Sequence, residues 1–294
     1  MTRAVYAFGA DRGTASRLAV ALGASLQQIS LHRMPDGESL PCAPPATSIA
    51  LLYRALDRPD AKLMPLLLAA DALRRAGAQR IVLVAPYMPY LRQDAVFAPG
   101  QPLSRDVFGG LLGSAFDRVV TVEPHLHRTV DLTPIFRGTP VLTLSAADLL
   151  AEAIGRRGQP VIVGPDSESQ PWVTQIAERL EAPSVVAHKV RHGDDDVNVT
   201  LPGEADVIGR RTVLVDDICS TGATLIAAIQ RLRAAGAASV EVAIVHALFK
   251  RGVGAALRRA GARSVIATDS CGRRANSLHL APLLASALAS EIDR

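Results

Sequence analysis

The stretch Val213-Leu-Val-Asp-Asp-Ile-Cys-Ser-Thr-Gly-Ala-Thr-Leu225 carries the strongest signal for the fold. An apolar run ends in two adjacent carboxylates, Asp216 and Asp217, and an apolar helical pattern starts at Leu225. This order predicts a buried strand, a tight loop and the beginning of a helix. The loop would present N–H groups and hydroxyls at the positive end of that helix, where phosphate binds. The carboxylates of Asp216 and Asp217 lie just upstream and can accept hydrogen bonds from the hydroxyls of a sugar. The stretch therefore predicts a sugar-phosphate site.

A short phrase recurs along the chain and extends this reading to the whole molecule. Each copy has a helical pattern that ends in Ala-Gly-Ala and is followed by an apolar run, which predicts a helix, a glycine cap and a buried strand. The copies are Ala72–Ala78 before Arg80–Pro86, Leu232–Ala237 before Val240–Val245, and Leu257–Ala262 before Ser264–Thr268. Alternating strands and helices predict an α/β fold with mainly parallel sheets in three layers.

The number of such units predicts two similar domains. About ten strand–helix units exceed what one compact sheet holds. We expect a first domain at residues 1–140 and a second at residues 141–294, with the last residues either in the second domain or packed back on the first. The segment Thr133-Pro-Ile-Phe-Arg-Gly-Thr-Pro140 contains two prolines and a glycine and is the predicted linker.

Composition excludes several classes of protein. The net charge is only +4, with no basic block and no basic–aromatic stripe, so nucleic acid is not an expected partner. The three cysteines are widely spaced and form neither a metal-binding pattern nor a disulfide framework, which favours a reducing, cytoplasmic location. No apolar run approaches the roughly 20 residues of a membrane span, and no signal pattern opens the chain.

Polar residues follow the strands predicted in the first half of the chain, at the edge where ligands bind in parallel sheets. Arg92 and Gln93 lie at the tip of a proline-stiffened loop after one strand. They either bind phosphate or form a solvated loop tip without a function. His125 follows the next strand, as a metal ligand, a general base or a structural histidine. Asp36 and Glu38 flank a glycine in a segment that also reads as a plain β-turn.

Two further strand ends in the second half carry charged residues. Asp166, with Glu168 nearby, serves either as a helix cap or in a magnesium–phosphate pocket. Lys189 and Arg191 would place two cations on one side of an extended segment. Lysine is rare in this arginine-rich chain, and Lys189 is one of only three, with Lys62 and Lys250.

The order of these motifs resembles the ribose-phosphate pyrophosphokinase family nearly end to end. The loop after Asp216 is shared with all type I phosphoribosyltransferases, whereas the Lys189-Val-Arg191 pair and the Pro86-Tyr-Met-Pro-Tyr-Leu-Arg-Gln-Asp94 segment are more specific. The chain departs from the family pattern at Met34, where many members have phenylalanine, and at Ser220, where many have an acidic residue.

The resemblance implies an enzyme that transfers the diphosphoryl group of ATP to the anomeric hydroxyl of ribose 5-phosphate, with Mg²⁺ as cofactor. It also implies a homo-oligomer, either a dimer or a hexamer. The implied ribose 5-phosphate ligands are Asp216, Asp217, Ser220, Thr221, Gly222, Ala223 and Thr224. The implied ATP ligands are Asp36, Glu38, Arg92 and Gln93, the metal region holds His125 and Asp166, and Lys189 and Arg191 act on the transferring group.

Two alternatives remain open at this stage. A type I phosphoribosyltransferase would explain the loop after Asp216 but not a second domain carrying Arg92-Gln93-Asp94. A non-catalytic or altered-substrate homologue is the other alternative, although such a protein is expected to lack the cations at Lys189 and Arg191 or the histidine at position 125.

Overall fold

The computed structural model describes residues 4–126, 131–191, 197–200, 204–272 and 277–292. Within them the chain forms two compact units. Unit 1 contains the described residues up to Leu144 together with 269–272 and 279–292, and unit 2 contains the described residues from Ser145 to Thr268 together with 277–278. The predicted α/β class, with parallel sheets in two domains, is confirmed.

Unit 1 is built on a seven-stranded sheet in the order β3-β2-β1-β4-β5-β6-β7. All neighbours are parallel except β2 and β3, which form an antiparallel hairpin. Three helices follow strands of this sheet. The elements are β1 (Ala4–Phe8), α1 (Arg12–Ala21), β2 (Ser25–Arg33), β3 (Ser39–Cys42), β4 (Ile49–Tyr53), α2 (Asp60–Arg75), β5 (Arg80–Val84), α3 (Ser104–Ala115), β6 (Arg118–Val122) and β7 (Val141–Leu144).

Unit 2 is built on a six-stranded parallel sheet in the order β15-β14-β13-β12-β8-β9. A separate antiparallel hairpin, β10–β11, lies in the chain between β9 and β12. The elements are α4 (Ala147–Ile154), β8 (Val161–Gly164), α5 (Gln170–Leu180), β9 (Ser184–Val186), β10 (His188–Arg191), β11 (Val197–Thr200), β12 (Arg211–Cys219), α6 (Ala223–Ala234), β13 (Ser239–Ala247), α7 (Val253–Arg259), β14 (Ala262–Thr268) and β15 (Ser277–Leu278).

The recurring Ala-Gly-Ala phrase has the predicted structure in all three places. Each copy ends a helix, and its glycine has a positive φ, 110° at Gly77, 88° at Gly236 and 115° at Gly261. These values are accessible to glycine without the steric cost of a Cβ atom, and they let the chain turn at once into β5, β13 and β14. The local signal was therefore sufficient to locate these strands.

The last helix, α8 (Ala281–Ile292), belongs to unit 1. The carboxylate of Glu291 near its end is fully buried and accepts hydrogen bonds from Arg80, at 3.0 Å from its Nε, and from Arg118. A buried carboxylate is costly unless it is paired and hydrogen-bonded, and here two guanidinium groups provide both. The end of the helix is thereby fixed to the residues that begin β5 and β6.

The segment expected to link the domains is instead part of the core of unit 1. Phe136 is fully buried in the same apolar cluster as Phe108 and Leu112 of α3. The hydroxyl of Thr139 donates to the carbonyl oxygen of Gly113 at 2.8 Å. The linker prediction was wrong because proline and glycine mark turns as well as linkers, and the apolar residues between them pack.

Each sheet reverses its strand order at one place. In unit 1 the chain builds outward from β1 to β2 and β3, then returns to place β4 on the other side of β1. In unit 2 it places β9 beside β8 and then β12 on the other side of β8. The carboxyl ends of strands at such a switch point are the usual place for a ligand. Among the described helices, none has the length and hydrophobicity needed to cross a bilayer.

Candidate active site

The carboxylates at the switch point of unit 2 lie on a strand, not after it. Strand β12 continues through Asp216 and Asp217 to Cys219, because its partner β13 is equally long and the two remain paired as far as Cys219 and Ala247. From the sequence, we expected the strand to end at the two aspartates. Since neighbouring positions of a strand face opposite sides of the sheet, Asp216 and Asp217 begin from opposite faces.

Burial and neighbouring acids make it costly to ionise the carboxyl group of Asp216. Burial raises the pKa of Asp216 well above its usual value, and the carboxylates of Asp217 and Asp166 raise that pKa further. Asp217 is itself 3% exposed, and its N–H donates to the Oδ1 atom of Asp216 at 3.0 Å. Strand ends β8 and β12 thus bring together acids that repel one another, an arrangement that suits cationic or hydroxyl-bearing ligands.

The phosphate-type loop is shorter than the sequence suggested. Helix α6 starts at Ala223, two residues before the predicted Leu225, and the N–H of Ile226 donates to the carbonyl oxygen of Gly222 at 2.8 Å. The first N–H groups of a helix have no acceptor within the helix. Ala223 and Thr224 therefore contribute N–H groups of the first turn, at the positive end of the helix.

Glycine is required at the point where the loop becomes a helix. Gly222 has a φ of 81°, and a Cβ atom there would lie 3.0 Å from Cγ1 of Val253 on α7. The loop is also tied to the segment before α7, since Lys250 N–H donates to the carbonyl oxygen of Ser220 at 3.4 Å. The Ser220–Thr224 segment is therefore held by packing on α7. This packing fixes the arrangement of the N–H groups of the segment.

Asp166 has the capping role that the sequence left open. Its Oδ1 atom accepts from Glu168 N–H at 3.1 Å, and its carbonyl oxygen accepts from the hydroxyl of Ser169 at 2.5 Å. The bonds shape a short 3-10 turn that leads into α5. The cap does not prevent a second role, because a carboxylate has about four acceptor positions and Asp166 is near enough to raise the pKa of Asp216.

Lys189 and Arg191 occupy alternate positions of β10. Their backbone partners on β11 are Val199 and Val197. Residues 192–196, which lie between these two strands in the sequence, are outside the described residues.

In unit 1, Asp36 and Glu38 lie at the tip of the β2–β3 hairpin and are exposed. The tip is a closed turn, in which Met34 N–H donates to Glu38 C=O at 2.9 Å and Glu38 N–H donates to Oδ1 of Asp36 at 3.1 Å. Strands β1 and β4 separate β2 from β5, which corresponds to about 14 Å across the sheet. The hairpin and the loop after β5 are thus separate features of one sheet edge.

The loop after β5 presents Arg92 and Gln93 at an exposed turn. Gln93 N–H donates to the carbonyl oxygen of Tyr90 at 2.9 Å, which closes the turn around Arg92. Tyr90 has a φ of 65°, an unusual value for a bulky residue. Sequence reasoning did not select Tyr90; its only signal was a tyrosine after a proline, two residues before the arginine.

His125 lies just past β6 and is 8% exposed. The residue that leaves the strand, Glu123, has a φ of 38°, and its N–H donates to Leu144 C=O at 2.9 Å. Backbone strain of this kind is often found near functional sites.

Over the described ranges, no group of three or more His, Cys, Asp or Glu side chains could hold a metal ion. Mg²⁺ retains several waters and needs few protein ligands, so the excess negative charge around Asp216 fits it.

Comparison with known proteins places these features in a family. Residues 139–272 match the phosphoribosyl transferase domain, and residues 4–115 match the N-terminal domain of ribose phosphate pyrophosphokinase. The ribose-phosphate pyrophosphokinase of Halobacterium salinarum is 35% identical over 283 residues, covering 95% of this chain and 98% of that protein. That of Methanopyrus kandleri is 31% identical over 277 residues, covering 92% and 94%.

The chain belongs to the ribose-phosphate pyrophosphokinase family. The crystal structure of phosphoribosylpyrophosphate synthetase from Mycobacterium smegmatis superposes with a TM-score of 0.85 at 28% identity, covering 100% of this chain and 99% of that one. The predicted family, fold class and enzyme class are confirmed, and the ATP-dependent synthesis of phosphoribosyl pyrophosphate is the reaction that they support.

Proposed function

We propose that the switch point of unit 2 holds ribose 5-phosphate and that ATP donates its diphosphoryl group to this sugar. The observation that carries the proposal is the clustering of Asp166, Asp216 and Asp217 beside the N-terminus of α6. Acceptors for hydroxyls and donors for a phosphate thus come from adjacent parts of one strand–loop–helix unit. The products are 5-phosphoribosyl 1-diphosphate and AMP.

The 5-phosphate binds to the loop Ser220–Thr224. Its donors are the N–H groups of the first turn of α6, at Ala223 and Thr224, and the hydroxyls of Ser220, Thr221 and Thr224. The helix dipole adds a favourable interaction with the phosphate, typically about 0.3–1 kcal/mol for an exposed group. Gly222 allows the backbone to make the turn that aims these groups. Serine at position 220 supplies a donor without a negative charge next to the phosphate.

The ribose hydroxyls bind to the carboxylates of Asp216 and Asp217. Hydroxyls donate to carboxylates in charge-assisted hydrogen bonds, which are about twice as strong as neutral ones. Binding also relieves the repulsion that raises the pKa of Asp216 in the free protein. A ligand that removes a cost already present binds more tightly than one that only adds contacts.

Mg²⁺ is the expected cofactor, with His125 as its candidate ligand in unit 1 and Asp166 as its candidate ligand in unit 2. When bound, the metal would neutralise charge on the diphosphate oxygens. Asp36, Glu38, Arg92 and Gln93 contact ATP. Arginine suits phosphate because its planar guanidinium group can donate two parallel hydrogen bonds.

The transfer needs no covalent enzyme intermediate. The anomeric hydroxyl oxygen forms a bond to the β-phosphorus of ATP, its proton passes to solvent, and the bond from that phosphorus to the α,β-bridging oxygen breaks. The bridging oxygen leaves as part of AMP. Positioning and stabilisation of charge on the transferring oxygens account for most catalysis of this kind, and Lys189 and Arg191 supply the cations.

Two finer predictions accompany this function. A homo-oligomer, either a dimer or a hexamer, follows from membership of the family. A cytoplasmic location is expected because the spacing of Cys42, Cys219 and Cys271 forms no disulfide framework, and these three described residues form no disulfide.

The test measures, by chromatography, the AMP that forms from ATP in the presence of Mg²⁺ and ribose 5-phosphate. We expect AMP to appear only when the sugar phosphate is added, and in equal amount to 5-phosphoribosyl 1-diphosphate. A type I phosphoribosyltransferase would instead consume the diphosphorylated sugar when given a base. A non-catalytic homologue would bind ribose 5-phosphate without turnover, and either result contradicts the proposal.

A further inference from the structure

Tyr90 adopts an unfavourable backbone conformation directly before the Arg92–Gln93 turn. Its φ of 65° lies in the left-handed region, which bulky residues rarely occupy. Such a conformation persists only where surrounding contacts hold it in place. The contacts made by the Tyr90 side chain therefore help to hold the backbone that leads into the turn.

Two contacts hold the side chain of Tyr90, one at its hydroxyl and one at its ring. Its hydroxyl donates to Oδ1 of Asp60, the first residue of α2. Its ring lies 5.0 Å from the ring of Phe108 on α3, at an interplanar angle of 40°. The hydrogen bond to the Asp60 carboxylate raises the pKa of the Tyr90 phenol. The phenol is thus held between the start of one helix and the side of another.

The backbone beyond Tyr90 is tied to the same elements. The carbonyl oxygen of Tyr90 accepts from Gln93 N–H at 2.9 Å, and the carbonyl oxygen of Gln93 accepts from Arg105 N–H on α3 at 3.4 Å. The path from α2 through the phenol to the turn is continuous. A change at the phenol of Tyr90 should therefore alter the position of Arg92, because the hydrogen bond from Gln93 to Tyr90 closes the turn that contains Arg92.

We propose that Tyr90 is the positioning residue for nucleotide binding: its bonds to Asp60 and Phe108 hold the backbone so that Arg92 and Gln93 face ATP. This inference rests on the proposed role of Arg92 and Gln93 as ATP ligands. Tyr90 does not itself contact the nucleotide. Asp60 acts only as the acceptor that holds the phenol.

The test compares Michaelis constants for the two substrates in Tyr90→Phe and Asp60→Ala. We expect each substitution to raise the KM for ATP about 5- to 10-fold, while the KM for ribose 5-phosphate and the melting temperature change little, because an exposed hydrogen bond contributes modestly to stability. The double variant should be no worse than either single one, since both remove the same bond. Asp60→Asn keeps an acceptor oxygen and should recover most of the affinity for ATP.

Tyr6→Phe is the matched control. The Tyr6 hydroxyl accepts from Thr47 N–H at 2.9 Å in the same unit, and its side chain is fully buried. Its loss should lower the melting temperature more than Tyr90→Phe does, without changing the KM for ATP. A general loosening of unit 1 would instead raise the KM for ATP in both tyrosine variants.

Arg92→Ala separates failure of this inference from failure of the function. If Arg92→Ala raises the KM for ATP and Tyr90→Phe does not, the positioning role is refuted and the ATP site stands. If Arg92→Ala has no effect, the ligand assignment fails and the positioning role fails with it. If the wild-type chain forms no AMP, the same variants are compared by calorimetric titration with ATP, and equal affinities would overturn the inference.

Discussion

The switch points of the two units have the same topology but opposite charge balance. In unit 2 the strands β8 and β12 lead to Asp166 and Asp216, whose carboxylates repel each other. In unit 1 the strands β1 and β4 lead to Asp11 and Arg54, which form an ion pair at 2.8 Å. The Arg54 guanidinium also lies 4.2 Å above the ring of Phe8.

Burial acts in the same direction at both points, and the neighbours act in opposite directions. Burial raises the pKa of Asp11 as it does that of Asp216. At Asp11 the nearby Arg54 and Lys62 oppose the rise, whereas at Asp216 the nearby carboxylates add to it. A buried charge without compensation is costly and is retained where a ligand completes it. In unit 1 the guanidinium group of Arg54 compensates the charge of Asp11. In unit 2 the acids around Asp216 repel one another, and we expect a ligand to compensate them.

Breaking the ion pair of unit 1 should have the largest effect. Arg54→Leu leaves Asp11 buried without its partner, and we expect the free energy of unfolding to fall by about 3–5 kcal/mol in a urea titration. The double variant Asp11→Asn/Arg54→Leu should recover a large part, since no carboxylate remains uncompensated. A loss below about 1 kcal/mol in the single variant would mean that the pair acts like a surface salt bridge.

Removing the proposed catalytic cation Lys189 from unit 2 should have the second-largest effect, and this effect should be on the rate of the reaction. We expect Lys189→Ala to lower kcat by about 10²–10³, because the cation proposed to stabilise transition-state charge is lost. Ribose 5-phosphate binding, measured by calorimetry, should remain close to that of the wild type. Turnover like that of the wild type would remove Lys189 from the mechanism and weaken the contrast between the units.

Relieving the repulsion in unit 2 should have the smallest effect on stability, with the opposite sign. Asp216→Asn should raise the free energy of unfolding at pH 8 by about 0.5–2 kcal/mol while reducing activity. The raised pKa means that the folded wild type loses stability as pH rises from about 4 through that pKa, so the gain should vanish at low pH. Asp206→Asn, at an exposed carboxylate of the same unit, should show no such gain.

The sequence predicted the parts of the fold that depend on local pattern. The Ala-Gly-Ala phrases located three helix ends, and the residues from Asp216 to Thr224 indicated a strand, a loop and a helix start, because these features are contiguous in the chain. The start of α6 was misplaced by two residues, since Ala223 and Thr224 suit a loop or a first turn equally well. The length of β12 depended on pairing with β13, which no local pattern reveals.

Pairs distant in the chain could not be predicted from the sequence. Asp11 and Arg54 are 43 residues apart, and Arg80 and Glu291 are 211 apart. Nothing near any of these residues marks its partner, because the pairing is created by strand order and helix packing. Phe136 shows the same limit, since its burial against α3 is invisible in a segment whose prolines and glycine indicate a linker.

Binding of ribose 5-phosphate measured by isothermal titration calorimetry tests the central contrast most directly. The titration would use the wild type, Asp216→Asn/Asp217→Asn and Asp11→Asn, each in the presence of Mg²⁺. One site per chain is expected in the wild type, lost in the unit 2 variant and kept in the unit 1 variant. Two sites per chain, or binding that survives loss of both Asp216 and Asp217, would contradict the account.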